Sequence, residues 1–136
     1  MTFRILVVDD EPAIHEVLLV YLKRFLDDFE LISAMSGDEA IEKSRQAQEQ
    51  SRPLDIVLMD LKMPEMNGLV CTQKLAEMGV RNVHLLTAYF DPESAKQAVD
   101  AGAKGVIRKS EGFKSVAKKV ADMIRGTREP SPQAAE

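Results

Sequence analysis

The chain has no tryptophan, a single cysteine, two histidines and only 5% aromatic residues among its 136. One thiol, Cys71, cannot close an internal disulfide, and no histidine or second cysteine stands at metal-ligand spacing from it. Zinc sites and disulfide scaffolds are therefore excluded, and Cys71 reads as a small core residue. Long apolar runs are also missing. The longest fall far short of the roughly 20 residues that a bilayer-spanning helix needs, so a soluble protein without membrane contact is expected. Nor is there an excess of basic charge. With a net charge of −4 and a pI near 5.3, the chain lacks the positive footprint of a protein that binds nucleic acid directly. Met1 leads into strand-like residues with no charged leader or cleavage site, so no secretory signal is visible and a cytoplasmic location is expected.

Against these absences stands an ordinary globular composition, 45% hydrophobic and 29% charged, over a length that suits one domain. Acids are placed unusually within it. The run Ile5-Leu6-Val7-Val8 is closed by Asp9 and Asp10, and the run Ile56-Val57-Leu58-Met59 by Asp60. Carboxylates at the ends of two buried strands are costly unless a cation shares their site.

The remaining pattern says where those ends meet. Strand-like segments run from Arg4 to Asp10, Phe29 to Ala34, Asp55 to Asp60, Val83 to Thr87 and Gly105 to Lys109. Between them lie helical stretches. The first opens at Pro12 and carries Ile14, Val17, Leu18, Tyr21, Leu22 and Phe25 at three- and four-residue spacing, one apolar stripe. The second has Ser36 and Glu39 at capping-box positions, and others follow from about Leu69, Ala95 and Phe113. His15 reads as lying off the stripe and His84 as isolated in a strand, both as structural or surface residues. Five strand-helix units in strict alternation predict a doubly wound parallel sheet with helices on both faces, which also explains strands that are apolar on both sides. Residues 1–125 form the predicted domain, and 126–136, with Pro130 and Pro132, read as a disordered tail or the start of a linker.

A parallel sheet gathers its strand ends on one edge, where ligands bind. Asp9, Asp10, Asp60, Thr87 and Lys109 converge there. Three close carboxylates repel unless a hard cation takes their oxygens, and Mg²⁺ suits a small oxygen site. An aspartate beside such an ion can attack phosphorus and form an acyl phosphate, and Asp60 is the candidate. Lys109 and the Thr87 hydroxyl could neutralise the phosphoryl oxygens.

Taken in order, Val7-Val8-Asp9-Asp10-Glu11-Pro12, the segment from Leu58 through Asp60 and Pro64 to Gly68, Leu86-Thr87-Ala88 and Lys109 resemble the receiver domain of bacterial two-component response regulators. The resemblance covers about residues 4 to 125. It implies the flavodoxin-like fold with strand order 2-1-3-4-5 and a signalling switch rather than an enzyme acting on free substrates. It further implies phosphorylation of Asp60 by a sensor histidine kinase or a histidine phosphotransfer protein, and Mg²⁺ bound by Asp9, Asp10, Asp60 and the main-chain carbonyl of Lys62. Thr87 and Lys109 would contact the phosphoryl group, and a downstream effector protein would read the change. The last two helices serve as a dimer face in many such proteins, so a homodimer is open.

Three departures carry expectations of their own. The family usually has a cis proline after the lysine, whereas this chain has Ser110, so a trans Lys109–Ser110 bond is expected. Val106 stands where many receivers carry an aromatic switch residue and has no ring to swing. Lys62 and Tyr89 lie where the family controls access of water, which implies a slow-to-moderate loss of phosphate. Two alternatives stay open: a pseudo-receiver acting as a phosphorylation-independent interaction module, and an N-terminal receiver cut from a longer multidomain regulator. A phosphatase of the Asp-x-Asp type is disfavoured, because Lys62 replaces its second acid.

Overall fold

In the computed structural model, residues 2–88 and 91–128 are described. The strands are β1 (Phe3–Val8), β2 (Phe29–Ala34), β3 (Ile56–Met59), β4 (Val83–Thr87) and β5 (Gly105–Arg108). The helices are α1 (Pro12–Phe25), α2 (Gly37–Glu49), α3 (Gly68–Glu77), α4 (Pro92–Ala101) and α5 (Phe113–Arg128). The five strands pair in parallel in the order β2-β1-β3-β4-β5, which is the expected doubly wound architecture.

Successive strand side chains point to opposite faces, so a strand covered on both sides must be apolar throughout. In β1, Ile5 and Val7 join Leu18 and Leu22 of α1 and Val116, Val120 and Ile124 of α5 on one face. Leu6 and Val8 join Cys71 and Leu75 of α3 and Ala98 of α4 on the other. Full burial of each valine, leucine and isoleucine among these contributes about 1.5–3 kcal/mol, and it is this two-layer core that fixes the positions of the strand ends. Among the described residues no helix is long and apolar enough to cross a membrane.

The helix starts follow local chemistry. Ser36 Oγ accepts from the Glu39 N–H at 3.1 Å, Asn67 Oδ1 from Val70 N–H at 3.0 Å and Asp91 Oδ1 from Ser94 N–H at 2.8 Å, so α2, α3 and α4 each have a side-chain N-cap. Predicted ends differ from observed ones mostly by a residue or two. α2 ends at Glu49, with Gln50 as its C-cap, and α5 continues through Gly126 to Arg128. Lys109 leaves β5 and opens a single 3-10 turn, Lys109–Glu111, with a trans bond to Ser110. The strand ladder thus ends one residue before the lysine.

Candidate functional site

β1 and β3 are neighbours although β2 separates them in sequence. This is the switch point of the sheet, where the chain winds outward in both directions and leaves a crevice at the strand ends. Pairing extends one residue past each strand. Asp9 N–H donates to Ala34 O at 3.1 Å and Asp60 N–H to Val8 O at 2.8 Å, so both aspartates hang from the ladder itself. Carboxylate oxygens of Asp9, Asp10 and Asp60 lie within 4.8 Å of one another.

Both side-chain oxygens of Asp9, which is 1% exposed, are engaged: Oδ1 accepts from Glu11 N–H at 2.9 Å and Oδ2 from Lys109 Nζ at 2.9 Å. The same ammonium reaches Asp60 Oδ1 at 3.3 Å. Lys109 therefore bridges two acids from the far side of the sheet, held there by β5 and the 3-10 turn. Asp10 is the most open of the three, and its carboxylate has no hydrogen-bond partner among the described residues.

The charges do not balance. Burial pushes the Asp60 carboxyl up to about 6, the Asp9 charge adds to the rise, and Lys109 only partly opposes it. For Lys109, burial favours the neutral amine, but the hydrogen bond to Asp9 and the charges of Asp60 and Asp9 outweigh it and hold the ammonium above its ordinary range. Three hard oxygen donors facing one ammonium form a set that a small divalent cation would complete, and the donors fit Mg²⁺ on that ground.

The loop after Asp60 has to fold back over the site. Gly68 permits this: a Cβ there would stand 2.1 Å from the Asp60 carbonyl oxygen. Its N–H donates to Leu61 O at 2.8 Å, so the turn closes against the end of β3. Glu65 within that loop has φ +68°, with Met66 N–H donating to Pro64 O at 2.7 Å around it. A non-glycine residue at positive φ is a strained choice.

The remaining predicted residues fall as follows. Thr87, 3% exposed, ends β4 opposite Arg108, next to the lysine in register. Lys62 is exposed in the loop leaving β3. Val106 is partly buried against the layer that contains α4. Tyr89 lies outside the described residues. His15 differs from its sequence reading as an off-stripe residue: it is 7% exposed, and its Nε2 meets the Asp9 carbonyl at 2.8 Å. The signal was its spacing, three before Leu18 and seven before Leu22, which puts it on the buried face of α1.

The family model for the response regulator receiver domain matches residues 5–121. This chain belongs to that family. It is 32% identical over 122 residues to the transcriptional regulatory protein ResD of Bacillus subtilis, covering 90% of this chain and 48% of that protein. To SrrA of Staphylococcus aureus it is 30% identical over 136 residues, covering 100% of this chain and 54% of that protein. The receiver thus spans about half the length of these relatives. Among solved structures, CheY in a complex with CheX, BeF3 and Mg from Borrelia burgdorferi superposes with a TM-score of 0.76 at 27% identity, covering 88% of this chain and 87% of that one. The response regulator domain of Thermotoga maritima CheB gives a TM-score of 0.75 at 27% identity, covering 93% of this chain and 96% of that one.

Proposed function

We propose that this receiver is a Mg²⁺-dependent phosphoryl acceptor, with Asp60 as the residue modified. The observation that carries the reading is the three-carboxylate cluster bridged by Lys109. Asp9, Asp10, Asp60 and the main-chain carbonyl of Lys62 would hold Mg²⁺, which supplies charge neutralisation to the phosphoryl oxygens when bound. Asp60, with a carboxyl near 6, is largely an anion at neutral pH and can act as the nucleophile. Its oxygen forms a bond to phosphorus as the P–N bond of a phosphohistidine breaks, and the departing imidazole nitrogen keeps the electron pair. Lys109 can release its hold on Asp60 and follow the charge onto a phosphoryl oxygen, and Thr87 would donate its hydroxyl to another.

The donor would be a sensor histidine kinase or a histidine phosphotransfer protein, and the output a changed affinity for an effector domain or protein. Direct nucleic-acid contact by this domain is not part of the proposal, given its acidic balance. Incubation with Mg²⁺ and acetyl phosphate, followed by intact-mass measurement, tests the reading. One phosphoryl group should add to the wild type and none to Asp60→Asn. If the wild type stays unmodified and also fails to bind beryllofluoride, it is an interaction module that kept the fold without the chemistry.

A further inference from the structure

Asp9 is held at all four of its polar atoms. Its N–H lies in the β2 ladder, Oδ1 caps the turn into α1, Oδ2 takes Lys109, and its carbonyl oxygen accepts from His15 at 2.8 Å. The last contact differs in kind. That carbonyl belongs to the peptide joining Asp9 to Asp10, so a donor on it fixes the plane from which the Asp10 side chain departs. Asp10 needs such help, because its carboxylate has no partner among the described residues.

His15 is poorly explained as core filling. A carbonyl can only accept, so Nε2 carries the hydrogen, and Nδ1 is left buried with no hydrogen-bond partner among the described residues. An imidazole nitrogen buried without a partner is destabilising, a cost that leucine or isoleucine on the same face of α1 would avoid. What the histidine provides is one donor, aimed at the backbone between two acids of the site. The helix gives that donor its precision, since His15 lies on the face buried with Leu18 and Leu22.

We infer that His15 is a positioning residue for the metal half of the site. It locks the Asp9–Asp10 peptide so that the Asp10 carboxylate is aimed at the cation before the cation arrives. The inference rests on the proposed Mg²⁺-dependent reading of Asp9, Asp10 and Asp60. Partners of this kind, which orient ligands without touching the metal, typically change affinity about 10–100-fold when removed.

The test measures Mg²⁺ affinity by titration calorimetry and the metal-free melting temperature of four proteins: wild type, His15→Phe, His15→Gln and Val120→Ala. His15→Phe fills the space without a donor, and His15→Leu replaces it if the phenylalanine variant does not fold. Glutamine keeps an N–H at comparable reach. Val120→Ala is a core truncation in α5, remote from the acids, that lowers stability alone. We expect Mg²⁺ binding about tenfold weaker in His15→Phe, close to wild type in His15→Gln, and unchanged in Val120→Ala despite its lower melting temperature. Equal Mg²⁺ affinity in wild type and His15→Phe would overturn the positioning role while leaving the phosphoacceptor reading intact, as would equal weakening in His15→Phe and Val120→Ala. A wild type with no saturable Mg²⁺ binding overturns the reading of the site, and the inference with it.

Discussion

The two edges of the sheet treat charge in opposite ways. At the amino-terminal edge, two cations meet one acid, and a second acid takes a main-chain donor. Asp55 Oδ2 accepts from Arg4 N–H at 2.7 Å, and Glu30 Oε2 lies 3.7 Å from Arg4 Nε and 3.3 Å from Arg52. The Arg4 guanidinium also donates to the Arg52 carbonyl. At the carboxyl-terminal edge three acids cluster and one ammonium bridges two of them. The same strands and the same core support both ends, so the imbalance is not imposed by the fold. It marks the edge where a ligand has an unmet charge to satisfy.

Lys109→Met should widen the contrast most. Removing the cation leaves Asp9 and Asp60 buried and uncompensated, and breaking a pair of this kind costs about 3 kcal/mol. Denaturant unfolding without metal should show that loss. Millimolar Mg²⁺ should restore more stability to the variant than it adds to the wild type, because the ion takes over the ammonium's role. Equal gains from Mg²⁺ would mean that the acids do not share one cation site.

Truncation to alanine should then have opposite signs at the two edges. Asp55→Ala deprives the Arg4 N–H of its acceptor and should destabilise by about 1–3 kcal/mol. Asp60→Ala removes the acid whose ionisation the folded site opposes, and should stabilise the metal-free protein at neutral pH by up to about 3 kcal/mol, the equivalent of a two-unit pKa rise. Parallel unfolding curves at pH 7 decide this. Two changes of the same sign would sink the idea that the edges differ in compensation.

The same imbalance predicts a pH slope. The folded-state carboxyl of Asp60 is raised from 3.8 to about 6, so between these values the native state holds a proton that the unfolded chain has lost. The stabilising contribution is complete below pH 3.8 and disappears as pH rises through about 6. Subtracting the Asp60→Ala melting profile from that of the wild type isolates the effect. The difference should fall across this window without metal and lose that slope in saturating Mg²⁺, since the ion competes with the proton. A flat difference without metal would falsify the raised carboxyl.

Much of this is legible in the sequence. β2 and β4 appear with the boundaries read from their apolar runs, and Asp9, Asp10 and Asp60 meet because strand ends of a parallel sheet must. What the sequence did not disclose depends on backbone that leaves regular structure. His15 reaches a carbonyl six residues back, across the turn between β1 and α1, a distance no helical or strand period encodes. Lys109 could be placed at the strand ends, but its two partners, 100 and 49 residues away, follow only from where the 3-10 turn aims it. Gly68 reads as turn chemistry, whereas its reason is the Asp60 carbonyl where a Cβ would stand.

The smallest expected effect tests whether the carboxyl-terminal edge also holds strain in its backbone. Glu65 sits at φ +68° in the loop that carries the chain from Asp60 to Gly68. Among the described residues the other non-glycine at positive φ is Ser51, after α2. Glycine adopts this conformation without a Cβ penalty, so Glu65→Gly should relieve the strain. The gain is set against the extra entropy of an unfolded chain with one more glycine, leaving a net stabilisation of about 0.5–1 kcal/mol. Ser51→Gly is the matched control and should give a similar gain with no consequence for Asp60. If Glu65→Gly also changes the rate at which acetyl phosphate labels Asp60 and Ser51→Gly does not, the strain near Gly68 holds the acceptor's loop in place. Equal labelling rates would make it a local cost of the turn, with the imbalance at this edge confined to its charges.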